Sequence, residues 1–337
     1  MLTERQETIL KMIVDEYVKT AEPVGSKALS LKMDVSSATI RNEMSALEET
    51  GYLEKTHTSS GRIPSEQGYR YYIEKIVKNL DDETEGYFEF EKLFENKEIE
   101  RDEMIKEAID LLSQVTNCTA ISLGPEAYYS KVEKIQMVPL KDTQALILVI
   151  TNFGHVESKQ ITISEGMDLS EMVKVIDLLN EMLVGTPVSQ VSEKLHYEIQ
   201  HSKIKELLKY RESIVDSFIE AFSKFARTKY YLTGQSNMLY QPEFNDIQKL
   251  RKFVETIENN DIFKLVETDS DGVSVKIGAE NQVTSMKDCT VVSSTYGTSD
   301  GEKGTISVVG PTRMDYRKVI PLIKYIAKNI AKLYEED

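Results

Sequence analysis

The chain has 337 residues, 40% hydrophobic and 29% charged, which is enough apolar material for two or three domains with their own cores. No apolar run approaches the length of a membrane-spanning helix, and the first ten residues, MLTERQETIL, lack the continuous apolar stretch of a secretory signal, so the cytoplasm is the expected compartment, with no membrane partner. The net charge of −15 argues against a general nucleic-acid coat, yet it is unevenly spread: residues 1–75 carry 10 Lys and Arg against 12 Asp and Glu, which leaves −13 for the remainder.

Thr3 followed by Gln6 has the spacing of a capping box, and Ile9, Leu10, Ile13, Val14 and Tyr17 form an apolar stripe behind it, predicting a helix over about 4–19. Pro23 and Gly25 break the chain before a short helix over about 26–32. A third helix is expected over about 37–50. Ile40, Met44 and Leu47 give it a buried stripe, Ser36 or Ser37 can cap its start, and Gly51 can end it. On its other face Ala38, Arg41, Asn42 and Ser45 lie three or four residues apart, side by side near the N-terminal end. Arg and Asn can each bond a purine edge bidentately, and small residues let a helix approach the groove closely. Ser37, Ala38, Arg41, Asn42 and Ser45 are therefore the expected DNA base contacts.

Residues 52–56 and 62–64, on either side of the polar turn 57–61, read as a two-stranded wing. From Lys55 to Ile63 there are two positive charges, no acid and several hydroxyls, a composition suited to phosphate oxygens. Lys55, Thr56, His57, Thr58, Ser60 and Arg62 are the expected phosphate contacts. Together these elements make an N-terminal winged helix-turn-helix over 1–80, closed by a helix over 65–79 whose tyrosines face the core.

Residues 81–103 hold 11 acids against three bases and read as a linker or a solvated helix face. A helix over 104–115 then leads to apparent strands at 119–123, 134–140, 145–150 and 155–163, and residues 168–258 read as helix-rich. Strands resume at 263–267, 273–277, 290–295 and 304–309, before a last helix in which Pro321 marks either a start or a kink. Strands, helices and strands again suggest an α+β protein with one sheet interrupted by an insert, in which 145–150 and 290–295 would pair; two sequential domains fit nearly as well.

No catalytic constellation emerges. His196 and His201 are five apart and off one helical face, and Cys118 and Cys289 have no metal or redox spacing, so buried free thiols are expected. Gly297, Gly301 and Gly304 lack the Lys-Ser/Thr of a P-loop and read as a hairpin, and Asp269 and Asp271 lack the remaining ligands of a calcium loop. No metal and no cofactor is expected.

The strings EPVGSKAL (Glu22 to Leu29), SSATIRNEM (Ser36 to Met44), HTSSGRIPSEQGYRYY (His57 to Tyr72) and MLYQPEF (Met238 to Phe244) resemble the heat-inducible transcription repressor family HrcA. The resemblance implies an N-terminal winged helix and a GAF-like antiparallel sheet domain, here at 104–167 and 259–337. It also implies an inserted dimerising domain, here at 168–258. It further implies a homodimer on a double-stranded inverted repeat upstream of chaperone operons, with the GroEL chaperonin as modulator. Two other readings stay open: a winged-helix regulator of other genes with a small effector in its GAF-like domain, and an enzyme carrying a nucleic-acid-binding head.

Overall fold

The computed structural model describes residues 2–56, 61–77, 87–125, 129–140, 144–162, 169–191, 194–195, 197–198, 230–258, 265–266, 272–281, 283 and 286–335. These residues fall into two compact units. The first comprises 1–122, 231–296 and 305–337, and the second 123–230 and 297–304.

The first unit opens with α1 (Glu4–Thr20), whose Thr3 and Gln6 form the expected capping box. Helices α2 (Ser26–Ser30) and α3 (Ser37–Glu49) follow, then β1 (Leu53–Lys55) paired antiparallel with β2 (Arg62–Pro64). The next helix is α4 (Glu66–Tyr72), which runs on as a π-turn over Ile73–Val77. The acidic stretch is not all linker, since it contains α5 (Phe88–Phe94), whose Phe90 is only 2% exposed, with Tyr87 set 5.2 Å from the Tyr325 ring. Burial of an aromatic outweighs the solvated character of its acidic neighbours.

After α6 (Arg101–Thr116), strand β3 (Thr119–Leu123) enters a five-stranded sheet. That sheet has the order β7-β3-β10-β9-β8, with β7 at Tyr230–Thr233, β8 at Val273–Ile277, β9 at Cys289–Gly297 and β10 at Lys303–Pro311. Helix α8 spans Ile247–Glu258, and helix α9 (Tyr316–Glu335) packs Val319, Leu322, Ile323, Ile326 and Ile330 into a core shared with α1, α3 and α4. Pro321 lies inside α9, which forgoes one backbone hydrogen bond in its second turn.

In the second unit β4 (Val132–Pro139), β5 (Gln144–Thr151) and β6 (Val156–Thr162) make their own antiparallel sheet. The expected pairing of 145–150 with 290–295 is therefore wrong. Ala145, Ile147 and Val149 on one face of β5 are sealed in a core with Val175, Ile176, Leu179 and Leu183 of α7 (Leu169–Leu183), so the meander completes a core without the other sheet. Asn180 locks this packing by bonding both the N–H and the carbonyl of Ile135 at 2.8 Å.

Two further expectations fail locally. Tyr230–Thr233 is a strand within what read as helix-rich sequence, and Leu265 and Val266, expected in a strand, are helical and buried. A short apolar run reads alike for a buried helix and a buried strand. The hairpin expected at Gly297–Gly304 is present, closed by Thr298 N–H to the Glu302 carbonyl at 2.9 Å. His57, His196, His201, Asp269 and Asp271 lie outside the described residues.

Both cysteines are free and buried, and burial pushes each thiol up to about 12. A thiol-specific disulfide reagent at pH 8 is expected to label neither in the folded protein and both in denaturant. Fast labelling of either under native conditions would contradict this packing. Among the described residues no helix is long and apolar enough to cross a membrane, and no cluster of His, Cys, Asp and Glu could hold a metal ion.

Candidate nucleic-acid interface

The head is built so that one helix is presented and everything else braces it. Ile9, Leu10, Ile13 and Val14 of α1, Leu29 of α2, and Ile40, Met44 and Leu47 of α3 are buried together with Leu53, Tyr69 and Tyr72. The angle between α2 and α3 is held by a 2.9 Å hydrogen bond between the Ser26 and Ser37 hydroxyls. Ser36, not Ser37, caps α3, accepting from the Thr39 N–H at 3.2 Å. At the far end Gly51, at φ +85°, supplies the left-handed residue of a Schellman turn, with Gly51 N–H to Glu48 and Tyr52 N–H to Leu47.

The α3 side chains divide between bracing and presentation. Ala38, Arg41 and Asn42 are exposed opposite the buried stripe, Ser45 is half-buried, and Ser37 is occupied by its bond to Ser26. Glu43 is tied back to α1 by Gln6 at 3.1 Å and Arg5 at 3.5 Å. Glu48 receives both Nε and Nη2 of Arg62, at 2.7 and 2.6 Å. Two of the three α3 carboxylates are thus engaged by cations or an amide, which leaves the presented face to Arg41 and Asn42.

Arg62, expected to contact phosphate, is paired within the head in this structure. Its side chain is 13% exposed, and its guanidinium is spent on Glu48 and the Gly61 carbonyl. Its backbone exchanges two 2.9 Å hydrogen bonds with Val24, which adds a third, single-residue strand to the wing. Arg62 thereby pins the wing to both α3 and the α1–α2 connection. Lys55 is exposed and Thr56 half-buried at the start of the wing turn, whereas His57, Thr58 and Ser60 lie outside the described residues.

Sequence reasoning missed the Val24 bridge, the Ser26–Ser37 bond and the Glu48–Arg62 pair. Opposite charges at 48 and 62 were the only signal, and spacing across a turn does not say which charges meet. Also missed was the seating of α4, where the Ser65 hydroxyl donates to the Gly51 carbonyl at 2.6 Å and accepts from the Gly68 N–H at 3.0 Å. Burial and the bond to Asp15, at 2.6 Å, raise the Tyr72 phenol well above its ordinary range, so it stays a neutral donor joining α4 to α1.

Comparison with known proteins bears on the whole chain. Residues 1–75 match the family model described as the winged helix-turn-helix transcription repressor, HrcA DNA-binding, and residues 102–320 match the HrcA protein C terminal domain. The heat-inducible transcription repressor HrcA of Acholeplasma laidlawii (strain PG-8A) is 43% identical, covering 100% of this chain and 99% of that protein. The protein of the same name from Bacillus pumilus (strain SAFR-032) is 39% identical, covering 100% of each. A crystal structure of a hypothetical protein shares the fold, with a TM-score of 0.64 at 23% identity over 100% of this chain and 99% of that one. With both family models matched in order and two full-length relatives near 40% identity, the chain belongs to the HrcA family of heat-inducible transcription repressors.

Proposed function

We propose that this heat-shock repressor, a DNA-binding regulator and not an enzyme, sets α3 of two copies into successive major grooves of an inverted repeat upstream of chaperone genes. The observation that carries the reading is the exposed row Ala38, Arg41 and Asn42 at the N-terminal end of a helix whose other face is buried and whose capping, bracing and wing contacts are all made inside the head. Arg41 and Asn42 read base edges, Ala38 and Ser45 allow the close approach, and Lys55 and Thr56 hold phosphate alongside His57, Thr58 and Ser60. Ser37 and Arg62 act by positioning.

Titration of operator variants tests these roles. Arg41→Ala is expected to cost about 1–3 kcal/mol and to relax preference at one base position per half-site. Lys55→Ala is expected to weaken binding alike on all sequences and to lower the salt slope by about one. Unchanged affinity and preference in Arg41→Ala would remove the reading.

A nearly neutral head has little non-specific affinity, so the second copy matters. Counting only the strands of the first unit, the five-stranded sheet has the order 2-1-5-4-3, which supports a GAF-like reading of that sheet. The second unit, with its own core, is then the dimerising insert, starting earlier in the chain than 168. Replacing residues 124–229 by a short linker is expected to give a folded monomer by sedimentation. A folded dimer would reject the assignment.

Topology supplies a reason for needing a chaperonin, and the family resemblance supplies its identity as GroEL. Neighbours β3 and β10 are separated by about 180 residues, and such closure is slow because loop entropy precedes the stabilising contacts. Until it completes, the apolar strands stay exposed and prone to aggregate, so GroEL maintains the active fraction until heat diverts it to other clients. Refolding with and without GroEL and nucleotide, scored by operator-competent fraction, tests this; equal, near-complete recovery would leave it unsupported.

A further inference from the structure

Within the first unit the head is joined to the five-stranded sheet through α4. Arg70 donates through Nη2 to the Val275 carbonyl of the edge strand β8 at 2.8 Å and through Nε to Glu280 Oε1 at 3.2 Å, with Nη2 also on Glu280 Oε2. The Glu280 carboxylate is itself preset, because Oε2 accepts from the Ile277 N–H at 2.8 Å. One turn earlier in α4, Glu66 accepts from the Ala279 N–H at 3.0 Å. Gly278, at φ +52°, makes room for that approach, since a Cβ there would collide with the Glu66 carboxylate.

Two further attachments hold the head at α1. Arg313 donates to the Val18 carbonyl at 3.1 Å, and Arg317 of α9 lies 3.8 Å from Asp15, which also receives the Tyr72 hydroxyl. Tyr69 adds an apolar contact to Tyr316, with ring centroids 5.8 Å apart. All of these contacts fall on α1 and α4, the helices that brace α3 without presenting it. Separated attachment points fix a rotation as well as a position, so the head turns with the sheet and not on a tether. A partly exposed pair such as Arg70 with Glu280 contributes little to stability, but a planar guanidinium shared by a carboxylate and a carbonyl fixes an angle.

We propose that Glu66, Arg70, Gly278 and Glu280 are positioning residues that make the repressor selective for the spacing between the two halves of its operator. Inserting one base pair between the half-sites turns one of them by about 35° and moves it by about 3.4 Å. A head fixed to its sheet cannot follow both displacements while the other copy stays seated, whereas a head released at α4 can tilt about its attachments on α1. The seat lies away from the presented face of α3, so its loss leaves recognition of a single half-site as it was. The inference rests on the reading of the chain as a dimer on an inverted repeat.

The test titrates full-length protein, at low salt, against duplexes carrying the inverted repeat from upstream of the source genome's own chaperone genes. One duplex has the native spacing, others have a base pair added or removed, and one has a half-site scrambled. The native chain is expected to lose at least about tenfold in affinity for each altered spacing. Glu66→Ala with Arg70→Ala in one chain, and separately Gly278→Ala, which displaces Glu66 from the sheet side, are expected to cut that penalty to about threefold or less, with affinity for the scrambled duplex unchanged. A smaller folded fraction lowers every titration alike and leaves these ratios in place, so a merely structural role would not move them. The native spacing penalty in either variant, or a native chain that prefers the full repeat yet ignores its spacing, would overturn this proposal alone. A native chain that binds the scrambled duplex as tightly as the repeat would overturn it together with the dimeric reading.

Discussion

Replacing Gly68 with alanine is expected to destabilise the protein by about 2–3 kcal/mol, although the same change in an exposed helix interior would stabilise by about 1 kcal/mol. The sign is decided by what a methyl group would meet. A Cβ at Gly68 would lie 2.2 Å from the Tyr52 carbonyl oxygen and 3.2 Å from its carbon, and both are backbone. That carbonyl cannot swing away, because it accepts the Ser65 N–H at 3.1 Å while the Tyr52 N–H closes the end of α3 on Leu47 at 2.8 Å. Helix α4 must lift instead, straining the Ser65 cap and the packing of Tyr69 and Tyr72 beneath it. Urea unfolding followed by circular dichroism measures the effect. A gain in stability would mean that α4 crosses the wing with slack, and the account of how the head is braced would fail.

How much of this was legible in the sequence depends on the range of the interactions. Local signals translated almost residue for residue: Thr3 with Gln6 became a capping box, Ile40, Met44 and Leu47 became the buried stripe of α3, and Gly51 became its left-handed stop. Each of these is settled within one or two helical turns. The errors arose where a partner lies far along the chain. The short apolar run 145–150 correctly announced a strand, but an apolar run does not say what covers it, and the face of Ala145, Ile147 and Val149 is covered by α7, not by the sheet of β9. Tyr230–Thr233 had the aromatic and β-branched composition of a strand, yet only its place beside β3 distinguishes it from the end of a helix. At the candidate interface Arg41 and Asn42 were legible because a helical wheel places them. The partner of Arg62 was not legible, because a basic wing residue looks the same whether it faces a phosphate or, as here, Glu48.

Arg313→Ala is expected to cost about 2–4 kcal/mol, because it removes one partner of a largely buried ion pair and leaves the other behind. The Arg313 side chain is 14% exposed and that of Glu243 22%, with Nε and Oε1 at 2.5 Å. Glu243 Oε2 already has no partner, so the substitution would leave a whole carboxylate with little solvent and no cation. A second loss falls on α1. The Val18 carbonyl, in the last turn of that helix, has no partner within it, and Arg313 Nη1 satisfies it at 3.1 Å while placing positive charge at the negative end of the helix. Lysine should rescue poorly, because one ammonium cannot reproduce a planar fork that serves Glu243, Gln241 and Val18 together. Adding Glu243→Gln to Arg313→Ala is expected to return part of the loss, since a neutral amide left unpaired costs less than a carboxylate. Urea titrations of the two single variants, Arg313→Lys and the double variant resolve these contributions as a cycle. A loss below about 0.5 kcal/mol in Arg313→Ala would place the pair among solvent-screened surface bridges and leave the end of α1 without the support assigned to it here.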